Sequence, residues 1–131
     1  GLAAAARRLC EDLAFDDDAM IYFSDRHVPR TVPSTVALAL FRALEEATVN
    51  ALVHSGAREI WVAMHGTPDE VRVSVVDRGS GFDTQSGVGR GLGLVATRER
   101  LKGVSGDITI ESTPGQGTRV EAWVPLRPPS P

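Results

Sequence analysis

Apolar residues recur along this chain with two periods, and the changes of period mark its elements. From residue 2 to 13, Leu2, Ala5, Ala6, Leu9 and Leu13 share one helical stripe. Asp16, Asp17 and Asp18 interrupt it and read as a solvated turn, because adjacent side chains diverge. Met20 to Phe23 reads as a short strand. Beyond Pro29 and Pro33, Ser34 is the expected N-cap of a long helix over residues 35–55, with Gly56 as its left-handed stop. Leu40, Leu44, Ala47 and Ala51 form its core-facing side. Residues 60–64 and 71–76 alternate as strands, and Gly66-Thr67-Pro68-Asp69 predicts that they pair antiparallel. A glycine-rich loop over residues 79–91 leads to a helix expected over residues 92–101. Two more strands, 108–111 and 119–124, are joined by Thr113-Pro114-Gly115-Gln116-Gly117. This order predicts an α+β fold: a two-layer α/β sandwich, with about three helices on one face of a mixed, mostly antiparallel sheet. One domain is expected over residues 1–126, with a frayed proline-rich tail over 127–131.

Composition narrows the chemistry. The chain has 131 residues, 42% of them hydrophobic, which suits one core. A net charge of -3 gives no sign of a nucleic-acid partner. Lys102 is the only lysine among 14 basic residues, so phosphate elsewhere would be met by arginine, a metal or a helix N-terminus. The single cysteine, Cys10, can form no internal disulfide and reads as a small helix residue in a reducing, cytoplasmic setting. No apolar run reaches the roughly 18 residues of a membrane span, although a longer parent protein could carry one.

Three groups of residues carry candidate chemistry. Glu46 and Asn50 stand four apart on one face of the long helix. A carboxylate there can take or orient a proton, and an amide oxygen can ligate a hard cation. The same two residues would equally suit an exposed polar face. Asp77 continues the apolar face of Val71, Val73 and Val75, where a carboxylate is unfavourable unless partnered. It can accept from an exocyclic amine such as that of adenine, or from backbone amides of its own Asp-x-Gly turn. Alternation admits both. Gly79, Gly81, Gly87, Gly89, Gly91 and Gly93 permit close backbone approaches and can expose amides to phosphate. No Gly-Lys-Ser/Thr follows, which excludes a P-loop.

In order, Glu46-Ala47-Thr48-Val49-Asn50 resembles the N box of bacterial sensor histidine kinases, and Asp77-Arg78-Gly79-Ser80-Gly81-Phe82-Asp83 their first glycine box. Gly89-Arg90-Gly91-Leu92-Gly93-Leu94 resembles the second. Arg98-Glu99-Arg100, Thr113-Pro114-Gly115-Gln116-Gly117-Thr118 and Val124-Pro125-Leu126 complete the pattern, which is most similar to the nitrate-sensor and lipid-fluidity-sensor subfamily.

The resemblance implies a Bergerat ATP-binding fold with ATP and Mg²⁺ as cofactors. It implies that Asp77 meets the adenine amine, with Thr118 in the surrounding water network. Asn50 would ligate Mg²⁺ and Glu46 would assist the attacking imidazole. Gly79 and Gly81 would shape the adenine side; Gly89, Arg90, Gly91, Leu92, Gly93 and Leu94 would form the lid and phosphate side. The implied partners are a histidine-bearing dimerisation domain of the same parent kinase and a response regulator, with this piece itself monomeric. His27, His54 and His65 lie outside any phosphoacceptor-like context. The sequence departs from the pattern at Val53, where many relatives carry a basic residue, and Arg90 is the natural substitute. An anti-sigma serine kinase of the same fold and a nucleotide-binding pseudo-kinase are the rival readings.

Overall fold

The computed structural model of the chain describes residues 1–81 and 94–126. Among them the sheet is organised around its two longest antiparallel pairings. The elements run α1 (Leu2–Asp17), β1 (Met20–Arg26), α2 (Ser34–Val53), β2 (Glu59–Gly66), β3 (Glu70–Asp77), α3 (Leu94–Lys102), β4 (Asp107–Ser112) and β5 (Thr118–Pro125). The strands lie in the order β1-β2-β3-β5-β4. Only β1 and β2 are parallel, joined by the crossover through α2. The other three pairings are antiparallel, so the sheet is mixed and mostly antiparallel as the pattern predicts.

All three helices contribute to one core against the inner face of the sheet. α1 packs on β1 and α2, α2 on β3 and β5, and α3 on β4, β5 and α2. From α2, Leu40, Leu44, Ala47 and Ala51 are all buried. From the strands, alternation brings Ile60, Val62 and Met64, then Val71, Val73 and Val75, then Val120, Ala122 and Val124 to the same core. Each such side chain contributes roughly 1.5–3 kcal/mol by leaving water. On α1, Leu2, Ala6 and Cys10 form the buried line, while Ala5 is exposed.

The ends of α1 and β1 and the cap of α2 differ from the sequence reading. α1 continues through Asp17, and only Asp18 leaves it, at φ 51 and ψ 51. The side chains of Asp16 and Asp17 are exposed, so their charges do not oppose helix. β1 extends to Arg26 because it pairs with β2 along its full length. Ser34 is not the N-cap of α2. Pro33 holds that position at φ -53 and ψ 141, its carbonyl accepts from Ala37 N–H at 3.0 Å, and no side-chain cap is made. The described part of α3 begins at Leu94; the expected start at Leu92 lies outside the described residues. The hairpin turn is as expected: the Thr67 hydroxyl accepts from the amides of Asp69 (3.2 Å) and Glu70 (3.1 Å).

Candidate functional site

On the helix-facing side of the sheet, successive rungs are apolar until the last. Met64, Val73, Ala122 and Ile108 stand side by side across β2, β3, β5 and β4, followed by Val62, Val75, Val120 and Ile110. The next rung is Ile60, Asp77, Thr118 and Ser112. Three polar side chains thus meet at the sheet's end, where apolar burial would otherwise continue. Asp77 and Thr118 are both buried. Asp77 donates nothing as a carboxylate; it accepts Gly79 N–H on Oδ1 at 2.8 Å. Burial pushes its carboxyl above the ordinary range, and the amides of Gly79 and Thr118 pull it partly back. Thr118 Oγ1 lies 2.8 Å from Ser112 Oγ, and the Ser112 hydroxyl donates to the Gly117 carbonyl at 3.2 Å.

The roof of this rung is the C-terminal half of α2. Ala47, Asn50, Ala51 and Ser55 line a cleft with Asp77 and Thr118, and Ile110, Val120 and Leu94 close its apolar side. The end of α2 is widened. The Asn50 carbonyl accepts from both His54 (2.9 Å) and Ser55 (3.1 Å), Gly56 turns at φ 63, and Ala57 N–H returns to Ala51 at 3.0 Å. This geometry buries Ser55 beside the cleft. Its carbonyl takes Ser80 N–H at 2.9 Å, and the Ser80 carbonyl takes Gly115 N–H at 2.6 Å. The loop after β3 is therefore strapped between the end of α2 and the β4–β5 turn.

Glycine is required where these three segments converge. A Cβ on Gly79 would stand 2.5 Å from the Ser55 carbonyl oxygen. One on Gly117, at φ 83, would stand 2.2 Å from that of Asp77. Gly81, at φ 65, approaches Thr113 as closely.

The structure thus brings together Asn50, Asp77, Gly79, Gly81, Leu94 and Thr118 from the residues singled out in the sequence. Glu46 lies half-buried on α2, one turn before Asn50, and does not line the cleft. Gly89, Arg90, Gly91, Leu92 and Gly93 lie outside the described residues. Both readings of Asp77 are compatible with this geometry, since the carboxylate held by the amides of Gly79 and Thr118 also lines the cleft. Val53 is 64% exposed at the end of α2. Sequence reasoning gave no role to Ser55, Ser112 or Gly117. Ser112 was accessible from alternation after Ile108 and Ile110; Ser55 was not, because only the widened helix end turns it inward.

Among the described residues, no group of three or more His, Cys, Asp or Glu side chains could hold a metal ion. No helix among them is long and apolar enough to cross a membrane.

Known proteins share this fold. The chain is 38% identical over 99 residues to an uncharacterized sensor-like histidine kinase of Chloroflexus aurantiacus, a match covering 71% of this chain and 17% of that protein. It is 39% identical over 92 residues to the signal transduction histidine-protein kinase/phosphatase DegS of Bacillus subtilis, covering 68% of this chain and 24% of DegS. The chain therefore spans about a quarter or less of these relatives. Its fold matches the blue-light activated histidine kinase of Erythrobacter litoralis EL346 with a TM-score of 0.74 at 23% identity, over 95% of this chain and 42% of that one. It matches the nucleotide-free catalytic domain of histidine kinase ThkA with a TM-score of 0.72 at 18% identity, over 95% of this chain and 90% of that one. Residues 35–128, from the start of α2 through the whole sheet-end site, match the sequence profile of one family. The chain belongs to the histidine kinase-, DNA gyrase B- and HSP90-like ATPases.

Proposed function

We propose that this chain is the catalytic, ATP-binding domain of a sensor histidine kinase, and that it passes the γ-phosphoryl group of ATP to a histidine on a separate dimerisation domain. The observation that carries the reading is the buried Asp77 on the last sheet rung, facing a cleft roofed by Ala47, Asn50 and Ala51. A buried carboxylate set among apolar walls is chemically complementary to an aminopurine, whose exocyclic amine can donate to it. Asp77 accepts the adenine amine, with Thr118 beside it. Gly79 and Gly81 let the backbone close around the base.

Asn50 offers one hard oxygen at the cleft wall. With no acidic cluster nearby among the described residues, the fit is to Mg²⁺, which keeps several waters and takes its remaining ligands from phosphates. When bound, the ion neutralises charge on the transferring group. Glu46, one turn away on the same helix, orients the incoming imidazole or takes its proton. Gly89, Arg90, Gly91, Leu92 and Gly93 are assigned to the lid and phosphate side, with Arg90 replacing the cation missing at Val53, and Leu94 to the apolar wall of the cleft. The bond to γ-phosphorus passes from the β–γ bridging oxygen to the imidazole nitrogen, and ADP leaves. The phosphoryl group then moves to a response-regulator aspartate.

The domain comprises residues 1–126, acts as a monomer until it meets its dimerisation domain, and works in the cytoplasm. Glu46→Gln should retain ATP binding but lower transfer to a supplied phosphoacceptor domain by about 10²–10⁴-fold, measured with radiolabelled ATP. ATP binding without transfer in the unmutated chain would instead support a nucleotide-binding pseudo-kinase, the reading that exposed Val53 favours.

A further inference from the structure

The polar rung has an internal direction. A serine hydroxyl has one proton, and a backbone carbonyl can only accept. The Ser112 hydroxyl donates to the Gly117 carbonyl at 3.2 Å. Either hydroxyl could donate in the 2.8 Å contact between Ser112 and Thr118; with the Ser112 proton on the Gly117 carbonyl, it is the Thr118 proton that makes it. Thr118 therefore spends its proton towards β4 and presents only lone pairs towards Asp77, its neighbour across β3 and β5. An ionised Asp77 is likewise an acceptor. The side-chain groups of this rung that line the cleft, Asp77 and Thr118, are both acceptors.

We propose that Ser112 is a specificity-determining residue. By fixing the Thr118 hydroxyl as an acceptor, it makes the site select a purine with a 6-amino group over one with a 6-oxo group. The proposal rests on the adenine reading of Asp77. Ser112 itself need not touch the base; it acts through Thr118 and is a positioning residue. A 6-oxo purine would place oxygen against two acceptors, and a site built for a donor rejects such a ligand strongly. Without Ser112, the Thr118 hydroxyl is released to rotate its proton into the cleft and meet that oxygen.

The test is calorimetric titration of ATP and inosine triphosphate, which differ at this position, into the unmutated chain, Ser112→Ala, Thr118→Val, the double variant and Asp77→Asn. The unmutated chain should prefer ATP by at least about tenfold. In Ser112→Ala, inosine triphosphate should bind several-fold more tightly while ATP weakens, so the preference falls by about an order of magnitude. The gain for inosine triphosphate should vanish in the double variant, which a general loosening of the sheet end would not produce. Parallel changes for both nucleotides, or none, with ATP binding still dependent on Asp77, would overturn the role of Ser112 alone. Absence of Asp77-dependent ATP binding in the unmutated chain would overturn this inference and the adenine reading together.

Discussion

Asp77 meets opposing demands. Its carboxyl binds its proton more tightly in the folded chain than in the unfolded one, because burial outweighs the two amides that face it. Between the ordinary carboxylate range and the raised value, the folded state holds more protons than the unfolded state. Stability therefore falls as pH rises through that window, and the penalty is fully present above it. The amine recognition proposed for Asp77 runs the other way: it needs the carboxylate and should fade as pH falls through the same window. Asp77→Asn should accordingly keep or raise the Tm at neutral pH while weakening ATP by roughly 10–100-fold, the loss of one charge-assisted hydrogen bond. A Tm lower by several degrees would show the carboxylate to be a structural group. Glycines divide in the same way. Gly56, at φ 63, has nothing within 4 Å of a added Cβ, so Gly56→Ala should lower stability by about 1–2 kcal/mol from its conformation alone. Gly117→Ala adds backbone overlap with Asp77 and should lose more than about 3 kcal/mol in denaturant unfolding, with nucleotide binding lost as well.

At the scale of elements, α3 has a tether. Arg98 donates to the Ile108 carbonyl at 3.0 Å and pairs with Asp107 at 3.3 Å, holding the helix to the start of β4. Half-exposed ion pairs add little globally, so Arg98→Ala should change overall stability by less than about 1 kcal/mol. Hydrogen exchange across residues 94–102 should nevertheless quicken, because few other contacts join α3 to the sheet. Unchanged exchange there would show that Leu94, Thr97 and Leu101 hold the helix by burial alone. Such local relations decide what was legible beforehand. Strong periodicity identified all eight elements, and alternation through Val71, Val73 and Val75 placed Asp77 on the buried face. The cap at Pro33 was hidden because backbone geometry, not a side chain, sets it. The end of β1 was hidden because pairing with β2 extends it, and that of α1 because the exposed Asp16 and Asp17 do not oppose helix. Asn50 and Asp77 could be matched to motifs, whereas the strap from Ser55 through Ser80 to Gly115 joins residues far apart in sequence and has no local signal.

For the whole molecule, the described helices cover one side of the sheet, and the other side carries its own contacts. Tyr22 and Trp61 stack with centroids 5.6 Å apart, and the Arg78 guanidinium sits 5.1 Å over the Trp61 ring. Trp123 is attended instead by Arg72, at 4.6 Å, near the opposite end of β3. Arg78 lies between Asp77 and Gly79, so its backbone adjoins the proposed nucleotide cleft while its side chain rests on Trp61. The chain thereby contains an optical gauge of its own site. A cation moving over an indole shifts its emission, so ATP should perturb Trp61 fluorescence in Trp123→Phe and leave Trp123 silent in Trp61→Phe. Equal responses from both indoles would mean that occupancy is felt throughout the sheet. A response confined to Trp61 would make binding readable without any attached dye, from the face opposite the proposed site.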